Sequence, residues 1–161
     1  MIVVADTSPL NYLIQIEHDF ILPHLYHSVR VPTTVFDELQ QATTLPRIQE
    51  WLLAVPPWLQ VQSVRTIVAD QLNSLDPGER DAIQLALIDK ADLVLIDERK
   101  GRVMAHHFGL ETTGTLGVVL EAHRKHLTDG VNAFERLQKH TNFRLSRQLA
   151  EDFYRILRQS I

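Results

Sequence analysis

The sequence predicts an α/β fold: a parallel sheet with helices on both faces, built as one domain. Three observations carry this. Short apolar runs of the buried-strand type alternate with helical segments along the chain. The 161 residues match the size of a single domain, and no linker, repeat or shift of composition divides them. Hydrophobic residues make up 45% and charged residues 22%, a mix that can bury a core and that excludes disordered and low-complexity classes.

The first strand is Ile2–Ala5, four apolar residues ending at Asp6. Pro9 opens a helix that carries Leu10, Leu13 and Ile14, and a second segment follows around Phe20–Tyr26. Val29–Val31 reads as a strand closed by Pro32. Thr33 or Thr34 can then cap a helix over Val35–Gln41, in which Val35 and Leu39 stand four apart. Pro46 starts another helix, with Ile48, Leu52 and Leu53 on one side, and Pro56-Pro57 ends it. Leu59–Val64 alternates apolar and polar residues as a half-buried strand does. Asp76-Pro77-Gly78-Glu79 is the clearest helix start, with Asp as cap, Pro at the first position and Glu placed for a capping box. That helix is apolar nearly all round, which buries it on more than one side. Leu93–Ile96 is a second buried strand, again ending in aspartate, Asp97. A basic helix over Arg99–Phe108, a strand over Leu110–Thr113 and a helix over Thr115–His126 complete the alternation. Two more helices, the last capped by Ser146, fill the tail.

With no cysteine, the chain has no disulfides, zinc–thiolate sites, iron–sulfur clusters or thiol nucleophile. The N-terminus lacks a basic stretch and no apolar run reaches the ~18 residues of a membrane span, so a cytoplasmic setting without membrane attachment is the simplest expectation. The net charge of −4 is uneven. Residues 1–98 hold 5 Lys and Arg against 14 Asp and Glu; residues 99–161 hold 11 against 6. A general nucleic-acid coat protein is disfavoured, whereas a compact acidic site with basic residues beside it is allowed. No glycine-rich phosphate loop is present.

In an open α/β sheet, sites lie beyond the carboxyl ends of the strands, where Asp6 and Asp97 stand. Two carboxylates ~4 Å apart repel by about 4 kcal/mol at an effective dielectric near 20, so a shared hollow needs a proton or a cation between them. Hard oxygen ligands favour Mg²⁺ or Mn²⁺. From spacing alone, each Asp can equally be the N-cap of a separate helix. Glu38, at the border of an apolar helix face, and Asp81, in the first turns of the buried helix, are the further acids of the expected cluster. Glu79 and Asp81 are two apart and point to different sides. Because Glu79 has capping work available, Asp81 is the preferred ligand. Paired histidines (His24/His27, His123/His126) and Trp51 with Trp58 read as packing or surface residues.

Five stretches, in this order, are similar to those of PIN-domain proteins: Val3–Leu10, Val31–Glu38, Leu75–Ala86, Leu95–Arg102 and Gly114–Gly117. The chain most resembles the compact prokaryotic, VapC-like subgroup found as toxins of toxin–antitoxin pairs. Phe143-Arg-Leu-Ser146 is similar to that subgroup's C-terminal extension. The resemblance implies a single domain over 1–161, a three-layer α/β/α sandwich with a central, mostly parallel sheet and residues 128–161 packed on it as a helical extension. It implies a metal-dependent endoribonuclease using Mg²⁺ or Mn²⁺, with Asp6, Glu38, Asp81 and Asp97 as catalytic metal ligands. Ser8 matches the hydroxyl partner of Asp6, and Glu79 fits a Gly-Glu signature as a supporting residue. Many relatives have Thr or Ser where Ile96 stands, so the hydroxyl supporting Asp97 is expected from Thr115. Arg99, Lys100 and Arg102 begin beside Asp97 and are expected to hold the RNA backbone. The resemblance also implies a homodimer and a small antitoxin partner, with apolar faces around Leu10–Ile16 and Ile48–Leu53 as contact surfaces. The rival expectations are a catalytically inert protein-binding module and a phosphoryl-transfer enzyme with an aspartate nucleophile. The second is weakened by the absence of an Asp two residues after Asp6.

Overall fold

A central strand, β1 (Val3–Ala5), has the rest of the sheet built out from both its edges. The computed structural model describes residues 1–41, 45–65 and 69–160. On one side β1 pairs with β2 (Val29–Pro32), which pairs with β3 (Leu59–Gln62). On the other it pairs with β4 (Leu93–Leu95), which pairs with β5 (Thr112–Thr113). The order is β3-β2-β1-β4-β5 and every pairing is parallel. The chain thus walks outward through β2 and β3, then crosses back to place β4 beside β1. The reversal falls between β1 and β4, the position at which open α/β sheets leave a crevice.

Alternation along the strands divides the core. Val3, Ala5 and Leu95 face one layer of buried residues; Val4, Val94 and Ile96 face the other. The first layer is made by α1 (Thr7–Gln15), α2 (Ile21–Tyr26), α3 (Thr33–Gln41), α4 (Pro46–Leu52), α7 (Thr115–Arg124), α8 (Gly130–His140) and α9 (Arg147–Gln159). The second is made by α5 (Pro77–Asp89) and α6 (Arg99–His107), with a 3-10 turn over Asp70–Ser74. The result is a three-layer α/β/α sandwich whose sheet is wholly parallel. No helix among the described residues is long and apolar enough to cross a membrane.

Some boundaries differ from expectation for local reasons. The expected strand Leu59–Val64 ends at Gln62, because its partner β2 ends at Pro32 and turns into α3. The strand expected from Leu110 begins at Thr112, because the Leu110 N–H closes the end of α6 on the Ala105 carbonyl at 3.0 Å. The capping box at α5 does not form: Asp76 makes no side-chain cap bond, and Glu79 turns to another acid. The stretches Leu10–Ile16 and Ile48–Leu53 are not exposed apolar faces. Leu10, Leu13, Ile14, Ile16 and Ile48 are all buried in the core, and only Leu53 stands fully out. Trp51 packs on Trp58 and donates to Asp19 at 2.9 Å.

The tail helices share the first core layer. Phe134 of α8 is fully buried with its ring centroid 4.8 Å from those of both Phe153 and Tyr154 of α9. His123 of α7 accepts from the Gly130 N–H at 3.1 Å through Nδ1, and its Nε2 meets the Leu157 carbonyl at 2.9 Å, so one ring bridges three helices. Phe134→Ala should therefore lower stability by about 3–5 kcal/mol, measured by denaturant unfolding. Leu149→Ala, on the exposed face of α9, should change it by less than about 0.5 kcal/mol; equal effects would contradict this packing.

Candidate metal centre

Asp6 leaves β1 at the rim of the reversal point. Its backbone N–H still bonds the Leu95 carbonyl at 2.9 Å, so the sheet itself fixes where its side chain starts. Asp6 occupies the N-cap position of α1 but makes no side-chain cap hydrogen bond. The carboxyl is buried instead in a hollow of about 390 Å³ walled by Thr7, Ser8, Glu38, Asp76, Glu79 and Glu98. Burial pushes its pKa up to about 7, reinforced by the charges of Glu38, Asp97 and Glu98 and opposed by the Thr7 N–H.

Glu38 comes from α3. Its Oε2 accepts from the Thr7 hydroxyl and its Oε1 from the Gly78 N–H at 3.1 Å. Gly78 must lack a side chain, since a Cβ would lie 2.6 Å from both Glu38 oxygens. The glycine after Pro77 thus lets the start of α5 approach the acid closely.

Asp97 follows β4 and is gripped from α7: Thr115 donates its N–H to Oδ1 and its hydroxyl to Oδ2, both at 2.7 Å. A carboxylate at a helix N-terminus is stabilised by the helix dipole. Gly114 lies so close that a Cβ would stand 2.7 Å from Oδ1. Burial raises the Asp97 pKa, while Thr115 and Arg102 pull it down. The side chain that supports Asp97 in place of a hydroxyl at position 96 is therefore Thr115. Ile96 is buried in the second core layer.

Asp81 is not brought to this cluster. Its Oδ1 accepts from Arg80 Nε at 2.8 Å and Gln84 at 2.9 Å, and its Oδ2 from Thr34 at 2.9 Å, so its charge is fully engaged elsewhere. Of Glu79 and Asp81, both on α5, it is Glu79 that lines the hollow. Two residues apart, they project to different sides, and the side facing the hollow is that of Glu79. Glu79 is buried, and its pKa is pushed up to about 8 by that burial, by a hydrogen bond with Glu98 and by the charges of Asp6, Glu98 and Asp76. Asp76, Glu79 and Glu98 offer carboxylate oxygens all within 4.8 Å of one another. Asp76, expected only as a helix cap, and Glu98 are additional acids of this cluster. The signals present were the second acid directly after Asp97 and an Asp at the mouth of α5.

The basic residues divide. Arg102 turns toward Asp97, donating from Nη1 to its backbone carbonyl. Arg99 and Lys100 line a different groove with Val103 and Met104, and Lys100 Nζ donates to the Ser74 carbonyl at 2.6 Å. They are thus placed away from the acids. Ser8 is at the hollow, on the edge it shares with Asp97.

The donor set is all oxygen, crowded and partly desolvated, and two of its carboxyls hold protons near neutral pH. These are the properties of a site that exchanges protons for a hard divalent cation. Without the cation, a raised carboxyl pKa favours folding at low pH. The contribution of Asp6 is full below its unfolded value of 3.8 and is lost as pH rises through about 7. In chelator, the melting temperature should fall between about pH 4 and pH 7, by the equivalent of a few kcal/mol at most, and Asp6→Asn should flatten that fall. Calorimetry showing an unchanged slope in the variant would contradict the burial of this charge.

A family model for the PIN domain matches residues 2–159. Among curated proteins no match was found. The PIN domain is a nuclease fold, and the acidic cluster at the β1–β4 reversal is compatible with metal binding. The chain, with its parallel α/β/α sandwich and its carboxylates at the strand ends, belongs to the PIN-domain family.

Proposed function

We propose that the protein is an endoribonuclease that hydrolyses RNA phosphodiester bonds at the acidic hollow with Mg²⁺ or Mn²⁺. The observation that carries this reading is the convergence of Asp6, Glu38, Asp76, Glu79 and Glu98 on one hollow, with Asp97 fixed beside it. Such a set is tolerated only with protons or a doubly charged ion. Asp6, Glu79 and Asp97 would hold the ion, with Glu38, Asp76 and Glu98 completing its surroundings directly or through water. Once bound, the ion supplies charge neutralisation for the phosphate and a water that ionises near neutral pH.

The chain's own residues do the rest. Thr115 holds both oxygens of Asp97, which removes its freedom to rotate away. Thr7 and the Gly78 N–H do the same for Glu38. With the cation in place, Asp6 and Glu79 give up the protons that burial otherwise keeps on them. Arg102, anchored on the Asp97 carbonyl at the rim, offers its remaining N–H groups to a phosphate.

A toxin role, a small antitoxin partner, a homodimer and a cytoplasmic location belong to the same proposal and are supported by family membership. Light scattering at micromolar concentration should give twice the 18.5 kDa of one chain; a single-chain mass removes the dimer.

With Mn²⁺ and a single-stranded RNA substrate, Asp6→Asn and Glu79→Gln should each lose more than the ~10–100-fold typical of a supporting residue, and Thr115→Val should fall within that range. Asp81→Asn should lose about 1–3 kcal/mol of stability, because Arg80 loses its ion-pair partner and one of the two acceptor oxygens becomes an NH2 donor. It should keep cleavage within a few fold. Inert Asp81→Asn beside active Glu79→Gln would overturn the assignment, and full activity in Asp6→Asn would overturn the nuclease itself. Millimolar Mn²⁺ should raise the melting temperature of the wild-type chain and leave that of Glu79→Gln almost unmoved.

A further inference from the structure

A second cavity, of about 540 Å³, opens on the far side of Asp97. It adjoins the acidic hollow, since Ser8 and Glu98 belong to the walls of both. Its character is mixed: Asp97 and Glu98 line it, but cations and apolar surface join them. Two guanidinium groups, Arg102 and Arg144, stand over a lining that includes Tyr12, Phe143, Leu116 and Leu145. It is built by α1, the segment from Asp97 into α6, the end of β5 with the first turn of α7, and the segment between α8 and α9.

That segment is held in shape. Thr141 is buried and its hydroxyl donates to the Leu137 carbonyl at 2.5 Å, while the Phe143 N–H donates back to that hydroxyl at 3.0 Å. The Tyr12 hydroxyl donates to Asn142 Oδ1 at 2.9 Å, and the rings of Tyr12 and Phe143 meet edge to face at 5.1 Å. Arg144 bonds the carbonyls of Gln138, Thr141 and Phe143 through Nη1 alone. Among the described residues neither Arg102 nor Arg144 forms an ion pair with a carboxylate. Two oriented cations with spare donors, next to aromatic and aliphatic surface, match the two halves of a nucleotide: phosphate oxygens and a base with a π-face.

We infer that this cavity is a nucleotide subsite: it takes the base adjacent to the scissile phosphate of a single-stranded RNA against Tyr12 and Phe143, with Arg102 and Arg144 on the flanking phosphate. A base paired in a duplex has no free face to offer, so the pocket selects unpaired substrate. This rests on RNA reaching the acidic hollow, the activity proposed above, and it assigns a substrate-reading task to the segment between α8 and α9.

The test reads binding without cleavage. A labelled single-stranded oligoribonucleotide is titrated by fluorescence anisotropy against the Asp6→Asn protein in Mn²⁺, with one abasic site moved along the strand. One position should weaken binding about 10-fold, the others little. Adding Tyr12→Leu should weaken the intact strand by a similar factor and abolish the extra cost of that abasic position; Tyr12→Phe should preserve it. Arg144→Met should weaken every strand alike. A flat abasic scan, which needs no change to the pocket, overturns the subsite, as does equal behaviour of Tyr12→Phe and Tyr12→Leu. The two readings fail separately. Wild-type cleavage with Mn²⁺ beside a flat scan removes the subsite and leaves the nuclease; a position-specific scan in a chain inert on RNA removes the nuclease and leaves the subsite.

Discussion

Like charges held together against their repulsion govern this structure. The parallel pairing of β1 with β4 sets Asp6 and Asp97 at neighbouring strand ends, and three helices deliver further acids to the same place. Each carboxylate is positioned by contacts that do not neutralise it: the Leu95 carbonyl on the Asp6 backbone, Thr7 and Gly78 on Glu38, Thr115 on Asp97. The sandwich beneath, with its two apolar layers, has to be rigid enough to keep these groups from separating. Its fully buried aliphatic residues, from Leu10 and Leu13 to Ile83 and Leu95, supply that rigidity.

The two cavities divide the labour by charge. The acidic hollow suits cations, and the cavity beyond Asp97 sets the guanidinium groups of Arg102 and Arg144 beside the carboxylates of Asp97 and Glu98. Asp97 and Glu98 sit on the boundary, with Arg102 leaning over it from α6. The first compartment repels anions until cations enter, whereas the second offers two guanidinium groups beside its carboxylates.

The layer architecture was legible because strand and helix periods alternate and because two buried strands, β1 and β4, lead into an aspartate. Asp6, Glu38 and Asp97 could be picked out for the same reason: they stand where an apolar pattern stops. Asp81 and Glu79 could not be ranked that way. Both lie on a helix that is buried on several sides, and the choice depends on which neighbour each meets. Arg80, Gln84 and Thr34 satisfy Asp81, and only the fold brings Thr34 there. Glu98 and Asp76 were hidden by ordinary roles, a helix entrance and a cap. Arg99 and Lys100 line a different groove from the one Arg102 enters, which spacing along α6 alone does not reveal. The cavity built by Phe143 and Arg144 had no local signal, since it exists only where residues 12, 102, 116 and 144 meet.

The crossing that sets β4 next to β1 has a further consequence during synthesis. β1 is made first, but its second neighbour comes some ninety residues later, and the grip on Asp97 waits for Thr115. A nascent chain that stops short of Thr115 therefore lacks the contact that completes the acidic hollow.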